Sequence, residues 1–240
     1  MITEAARNDL VPTGVLRAGI NYGNTLFTTK AASGVLSGVT IDLMNELGKH
    51  LGVPVQQVVY ATPGEVGDDA GSGKWDVTIL AIEQSRAQTM HFSPPLTEIV
   101  ATYLVSKDSP LQSVAQVDAP GVRIATAEKA GYDLYLTRAL RAASLVRGKG
   151  SKGAFDLFAA GEADALAGLA PMLADYLDKM PGSRLLDGRF MTVNHGFAIP
   201  RERRAGAEYI KAFADDMVAS GFLVRSIERH AVQGLAPAKP

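Results

Sequence analysis

The sequence predicts an α/β protein built as two lobes of similar size. Three observations predict it. Strand-like and helix-like patterns alternate from residue 15 to 82. The alternation starts again at residue 122. Extended segments near 103–107 and 191–199 stand where a chain would pass between two such lobes. A chain of 240 residues is long enough for one large domain or two small lobes, and two lobes imply a cleft, a preferred place for a ligand.

The elements follow in order. "VLRAGIN" (15–21) reads as a strand. Ile41, Met44, Leu47 and Leu51 recur at helical spacing, so 41–51 is an amphipathic helix, with Thr40 as its N-cap and Gly52 as its stop. "VQQVVYA" (55–61) and "DVTILAI" (76–82) are strands with a short helical link between them, which points to a parallel sheet covered by helices. "TYLVSK" (102–107) leads into a linker with one helical turn. "VRIATA" (122–127) is a strand, 132–143 and 152–161 are helices, and "DALAGLA" (164–170) is a strand. Pro171 opens a helix, at a first-turn position where its missing N–H costs nothing. The C-terminal part is two helices broken near Gly221, and "GLAPAKP" is expected to fray. No short internal repeat is visible.

Composition removes several function classes. Charged residues are 20% of the chain, and 24 Lys+Arg against 25 Asp+Glu leave a net charge of −1, so nothing calls for nucleic acid or an anionic membrane as partner. The absence of cysteine excludes a disulfide framework, a cysteine–zinc site and a cysteine nucleophile. No apolar run approaches the roughly 18–20 residues that span a bilayer. "MITEAARNDLVPTG" lacks a basic-then-apolar signal pattern. The protein is therefore either cytosolic, or exported with its signal peptide removed before this numbering begins.

"GDDAGSGKWDVTIL" (67–80) has the look of a phosphate loop without its chemistry. Lys74 is followed by Trp75 instead of the hydroxyl residue that holds magnesium, Gly67 does not stand at the required spacing, and a strand follows where a helix is needed. The stretch reads as a helix-to-strand turn. His50, His91, His195 and His230 include no pair at the i, i+4 spacing of a helical metal site, and no G-x-S-x-G occurs. No metal and no cofactor are expected. Trp75 reads as core.

Arg86 follows an apolar strand and precedes "HFSPP". A guanidinium can hold a carboxylate through two parallel hydrogen bonds, or it can simply be solvated at a helix start.

The order of "SGVTIDL" (37–43), "GKWD" (73–76), "AIEQSR" (81–86) and "HFSPPL" (91–96) resembles the bacterial extracellular solute-binding proteins of family 3, the polar amino acid-binding components of ABC importers. The likeness runs on through "PGVRIATAEKAGYDLYL", "AAGEADALAGLAPML" and "GFAIPRE", over about residues 12–232. It implies the type II periplasmic-binding-protein fold, two α/β lobes joined by two crossing strands and closing on a ligand by hinge motion. Lobe 1 would be 1–104 with 196–240, and lobe 2 would be 105–195.

The resemblance also implies site residues. Arg86 matches the arginine that clamps the ligand carboxylate. Ala81 stands where the family has a serine or threonine, so only its backbone N–H remains, and Leu80 beside it would offer backbone groups. Lys129, Ala130 and Gly131 stand at the start of the lobe 2 helix, where backbone N–H groups meet the carboxylate. Tyr22, Asn21 and Asn24 follow the first strand, at the family's place for aromatic and polar contacts. Leu169 occupies the position of the acid that grips the ligand ammonium. An ammonium buried without an acid is costly, so the expected ligand is a small carboxylate with an apolar or weakly polar body, unless Glu128 or Asp133 substitutes. Asn194 and His195 lie near the second crossing as hinge or cleft residues.

The resemblance therefore implies a periplasmic, monomeric binding protein that delivers an amino acid or a similar organic acid to a membrane permease, without covalent chemistry. Two alternatives follow from the same fold. One is an enzyme like cyclohexadienyl dehydratase, which needs an acid where Leu169 stands. The other is the ligand-sensing domain of a receptor.

Overall fold

The computed structural model describes residues 2–239. The first stretch runs α1 (Glu4–Leu10), β1 (Leu16–Asn21), the small hairpin β2 (Thr29–Lys30) and β3 (Leu36–Ser37), α2 (Val39–Leu51), β4 (Val55–Tyr60), α3 (Pro63–Asp68), β5 (Val77–Ala81), β6 (Met90–Phe92) and β7 (Thr97–Ser106). Next come β8 (Arg123–Ala127), α4 (Gly131–Ala139), β9 (Ser144–Gly148), α5 (Gly150–Ala159), β10 (Ala165–Leu169), α6 (Ala170–Leu177), β11 (Ser183–Leu185) and β12 (Met191–Pro200). The chain ends with α7 (Arg204–Ala219), α8 (Phe222–Arg229) and β13 (Ala236–Pro237). No helix among the described residues is long and apolar enough to cross a membrane.

The chain divides into two compact units. Unit 1 holds the residues up to Glu98 and those from Asn194 onward, and unit 2 holds Ile99–Val193. In unit 1 the strand order is β4, β1, β5, β12. β4 and β5 run parallel to β1, while β12 and β6 add antiparallel edges. In unit 2 the order is β7, β10, β8, β9, with β8 parallel to β10 and β9, and β7 antiparallel to β10.

Both units open their sheets with the same device. At the start of β1 the backbone N–H and Nε of Arg17 both donate to Asp76 Oδ2 at 2.9 Å, and Nη2 donates to Oδ1 at 2.6 Å. The Asp76 N–H returns a bond to the Arg17 carbonyl, and Arg17 Nη1 donates to the Gly73 carbonyl. At the start of β8, Arg123 does the same to Asp164, with N–H and Nε on Oδ2 at 2.8 and 3.2 Å and Nη2 on Oδ1 at 2.8 Å. Nη2 of Arg123 also reaches the Gly161 carbonyl. Gly73 and Gly161 have φ of 77° and 75°, the left-handed region that glycine enters at little cost. A repeat is thus present, carried by Gly-x-x-Asp before one strand and Arg at the head of its neighbour. It escaped the sequence reading because "GKWD" and "GEAD" share only two letters.

The core of unit 1 gathers on Trp75, 1% exposed, with Val66, Leu80, Met90 and Ala198 around it. Its indole N–H donates to the Val66 carbonyl at 3.1 Å. The expected core role of Trp75 holds. Lys74 is exposed and pairs with Asp69 at 2.8 Å, as a turn residue.

Several sequence expectations need correction. The second helix begins at Val39 behind Gly38, and Thr40 is buried in its first turn instead of capping it. Gly52 does end that helix, in the left-handed conformation. The helix expected over 132–143 stops at Ala139, and 144–148 forms strand β9 along β8. The cause is Asp118, whose carboxylate accepts the N–H groups of Arg141, Ala142 and Ala143 at 2.8–2.9 Å and draws the chain out of the helix. The described part of the tail, up to residue 239, is not frayed: Ala236 and Pro237 pair with Glu98 and Thr97, and the Ala238 N–H donates to the Leu96 carbonyl, while Pro240 lies outside the described residues.

Those N–H groups, Ala143 first, hold the Asp118 carboxyl below its ordinary range. A carboxyl depressed in the folded state contributes stability above its unfolded pKa of about 3.9 and loses it as pH falls through the folded value. Asp118→Ala is therefore expected to shrink the loss of stability on acidification below about pH 4. Urea midpoints measured across that range check it, and an unchanged acid limb in the variant counts against it.

Candidate functional site

Unit 1 brings Arg86 to the end of its central strand. β5 is buried along its whole length and ends at Ala81. A one-turn 3-10 helix, Arg86–Gln88, then folds the chain back. Arg86 is only 6% exposed, which excludes the solvated reading. Its Nη1 donates to the Ala81 carbonyl at 3.1 Å and its Nη2 to the Pro63 carbonyl at 3.4 Å. Burial pushes the guanidinium down to about 10, against the raising influence of Glu83 and Asp68. Glu83 in turn accepts the N–H and hydroxyl of Ser85, both at 3.0 Å. Desolvation thus outweighs the favourable charge of Glu83 and Asp68 at this guanidinium.

Thr62 and Pro63 begin α3. Thr62 accepts the Glu65 N–H and the Glu65 carboxylate returns to the Thr62 N–H, a reciprocal cap that fixes the Pro63 carbonyl against Arg86. Leu80, expected to offer backbone groups, has its side chain in the Trp75 cluster and pairs with Gly196. His195 pairs with Ala81, is buried, and lays its ring on Phe27 with centroids 4.7 Å apart. The loop after β1 is self-bonded: Asn21 Oδ1 accepts the Gly23 N–H, and Asn24 Oδ1 accepts the Leu26 N–H. Tyr22 carries the Lys30 ammonium over its ring at 4.7 Å.

In unit 2, Lys129 is exposed and has φ of 56°, a left-handed conformation unusual for a lysine. Its N–H donates to Asp133 Oδ2 at 2.9 Å. Ala130 is the N-cap of α4 and supplies no side-chain cap, and Gly131 is the first helical residue. Tyr132 is buried, and that burial raises its phenol. Asp133 is 2% exposed, is bonded to Arg147 Nε at 3.1 Å, and is raised chiefly by burial. It is therefore engaged within unit 2 as a structural acid. Leu169 ends β10 as a buried apolar residue. Among the described residues, no three His, Asp or Glu side chains gather as a metal site.

The structure thus groups Ala81 and Arg86 in unit 1, with Asn21 at the end of β1 and Tyr22 and Asn24 in the loop after it. In unit 2 it sets Lys129, Ala130 and Gly131 in one turn, with Leu169 at the end of β10. Pro63 and His195 join this arrangement, the Pro63 carbonyl accepting from Arg86 and His195 pairing with Ala81. The signal for Pro63 was available in "ATPGE", a capping box with proline at the first helical position.

Residues 16–232 match the sequence profile of the bacterial extracellular solute-binding proteins, family 3. No curated protein matches the chain by sequence. Among solved structures, the solute receptor for L-cysteine of Neisseria gonorrhoeae is 19% identical with a TM-score of 0.82, covering 99% of this chain and 100% of that one. AbpA, an amino acid ABC transporter substrate-binding protein of Streptococcus pneumoniae bound to L-arginine, is 20% identical with a TM-score of 0.77, covering 92% and 95%. An ancestral amino acid-binding protein, a precursor of cyclohexadienyl dehydratase, is 25% identical with a TM-score of 0.77, covering 93% and 98%.

Proposed function

Because the chain belongs to the bacterial extracellular solute-binding proteins of family 3 and has their type II fold, we propose that it is the periplasmic solute-binding component of an ABC importer. Its ligand is a small carboxylate-bearing solute, an amino acid or an amino acid-like organic acid. Arg86 carries the reading. A guanidinium buried to this degree and served by two carbonyl oxygens is a site prepared for an anion. The Lys129 turn and the uncapped start of α4 supply the corresponding polar groups of unit 2. The permease partner and the compartment rest on family membership.

A screen of carboxylates, amino acids and their amides by thermal shift tests the reading. A ligand that binds only the folded protein raises its melting temperature. Carboxylates are expected to raise it and the matched amides are not. Stabilisation by amides as strong as by acids would sink the proposal.

The dehydratase alternative needs a carboxylic acid at the end of β10 to protonate a leaving group. Leu169 stands there, and Asp133 and Asp164 are each tied to an arginine. Binding without turnover is accordingly the better-supported reading.

A further inference from the structure

The repeat that opens both sheets extends to the strand beside each latch, and there the two units part. β12 lies antiparallel to β5 with Ala198 opposite Thr78, and β7 lies antiparallel to β10 with Val105 opposite Ala165. Counted from the latch aspartates, Asp76 and Asp164, Ile199 therefore corresponds to Val105. Both strands then end in the same turn: the Arg203 N–H donates to the Pro200 carbonyl at 3.1 Å, and the Ser109 N–H to the Ser106 carbonyl at 3.0 Å. Arg203 and Ser109 thus hold equivalent places. In unit 1, Arg203 Nη1 donates to Asp76 Oδ1 at 2.5 Å, beside the bond from Arg17. Leu10 and Ile199 pack around Gly206 at the start of the helix that follows. In unit 2, Ser109 has no cation to offer: its hydroxyl accepts the Leu111 N–H at 3.3 Å, and Asp164 Oδ1 accepts from Arg123.

A cavity of about 620 Å³ opens at this place in unit 2, the size of a small-molecule site. Leu111, Phe158, Ala163 and Met180 give it apolar walls, and Asp108 and Asp164 bring carboxylates to it. Arg184 donates to the carbonyls of Lys107, Ser109 and Leu111, so its charge is engaged in holding the rim. An ionised carboxylate has about four acceptor sites. Asp76 uses its Oδ1 for two guanidinium groups, so Asp164 Oδ1, on a side chain 39% exposed, has room for a second beside Arg123. An anion would be repelled by both carboxylates, and a neutral apolar molecule would leave them unused. A cation with an apolar tail suits walls and rim together. We infer that this cavity is a second ligand site, independent of the carboxylate reading, and that it takes a small organic cation, a guanidinium or ammonium group on an apolar tail. The charge sits on Asp164 as Arg203 sits on Asp76.

Calorimetry on the full chain with hexylguanidinium, hexylammonium, butylguanidinium and hexanol tests this. The hexyl cations are expected to bind at least about 10-fold tighter than hexanol, the worth of one charge-assisted hydrogen bond. Each methylene between butyl- and hexylguanidinium should add roughly 3-fold. Ser109→Arg supplies in the chain itself the guanidinium that unit 1 has, and should weaken the cations at least about 10-fold. Asp164→Asn removes the charge and should do the same. A loss in either variant places the cation in this cavity. Both variants should leave the affinity for any acid found by thermal shift unchanged, which keeps this inference apart from the carboxylate reading. The inference is wrong if no cation binds, or if hexanol binds as tightly, since the cavity is then only an apolar hollow. It is equally wrong if both variants bind the cations as the parent does, or if the same variants lose the acid, which would mean one shared site.

Discussion

Arg86→Lys is expected to fold and to lose about 10- to 100-fold in affinity for the carboxylate ligand, and Arg86→Ala to lose binding altogether. The two substitutions separate charge from geometry. Lysine keeps a cation, but its single ammonium cannot serve the Ala81 and Pro63 carbonyls and a carboxylate with the planar fork that arginine offers. Alanine removes the cation beside Glu83, which is buried and still accepts from Ser85. Losing one partner of a buried charge group costs about 3–5 kcal/mol where nothing else serves the survivor. The Ser85 bonds reduce that here to roughly 1–3 kcal/mol, the cost of a partly served buried group. Titration of the acid found by thermal shift gives the affinity, and urea midpoints give the stability. The guanidinium titrates at about 10 because burial outweighs Glu83 and Asp68, so affinity should stay flat through neutral pH and fall only in strong alkali. A folded Arg86→Lys protein that binds its acid as well as the parent would place the anion site elsewhere.

Where pattern was local, the fold could be read in advance. The 3.6-residue recurrence over 41–51, the stop at Gly52, Pro171 in the first turn of α6 and the break at Gly221 all rest on interactions within a few residues, and all four stand in the structure. The failures have one cause, which is contact with distant chain. Strand β9 is "SLVRG", five residues with two aliphatic side chains, too short for periodicity to register. It forms because β8 and Asp118 receive it. The tail "GLAPAKP" has the composition of a disordered end, yet it is held through backbone groups, to which composition is blind. The site shows the same division. Arg86 stood out as a clamp through the family resemblance, since its place after a strand also fits a solvated arginine, and its bond to the Pro63 carbonyl, 23 residues away, is not written in local pattern. Asn194 was legible only as a hinge or cleft residue, since a buried acceptor without a partner among the described residues is a property of assembled strands.

Asp76→Ala is expected to cost unit 1 about 3–5 kcal/mol, while Asp164→Ala costs unit 2 about 0–1 kcal/mol. The two carboxylates make nearly the same bonds to the arginine that heads the neighbouring strand, so burial and the added Arg203 separate them. Asp76 is 0% exposed and is shared by Arg17 and Arg203, whose side chains are 18% and 13% exposed. Its removal strands two desolvated guanidinium groups and the Arg17 N–H. The Asp164 and Arg123 side chains are 39% and 45% exposed, so water replaces each lost bond and screens what is left. The single tryptophan makes the comparison measurable, because Trp75 lies beside Asp76 in unit 1. Its fluorescence follows unit 1 in urea, and circular dichroism follows both units. The loss in unit 1 corresponds to roughly 10 °C in melting temperature for a protein of this size. Affinity should separate from stability here. Asp76 stands at the head of β5, and Ala81, whose carbonyl holds Arg86, stands at its far end, about 17 Å away along a strand of this length. Molecules that remain folded should therefore bind their acid within a few-fold of the parent. Equal losses from the two substitutions would show that the bonds to the strand-heading arginine, and neither their exclusion from water nor the added Arg203, set the strength of the repeated latch.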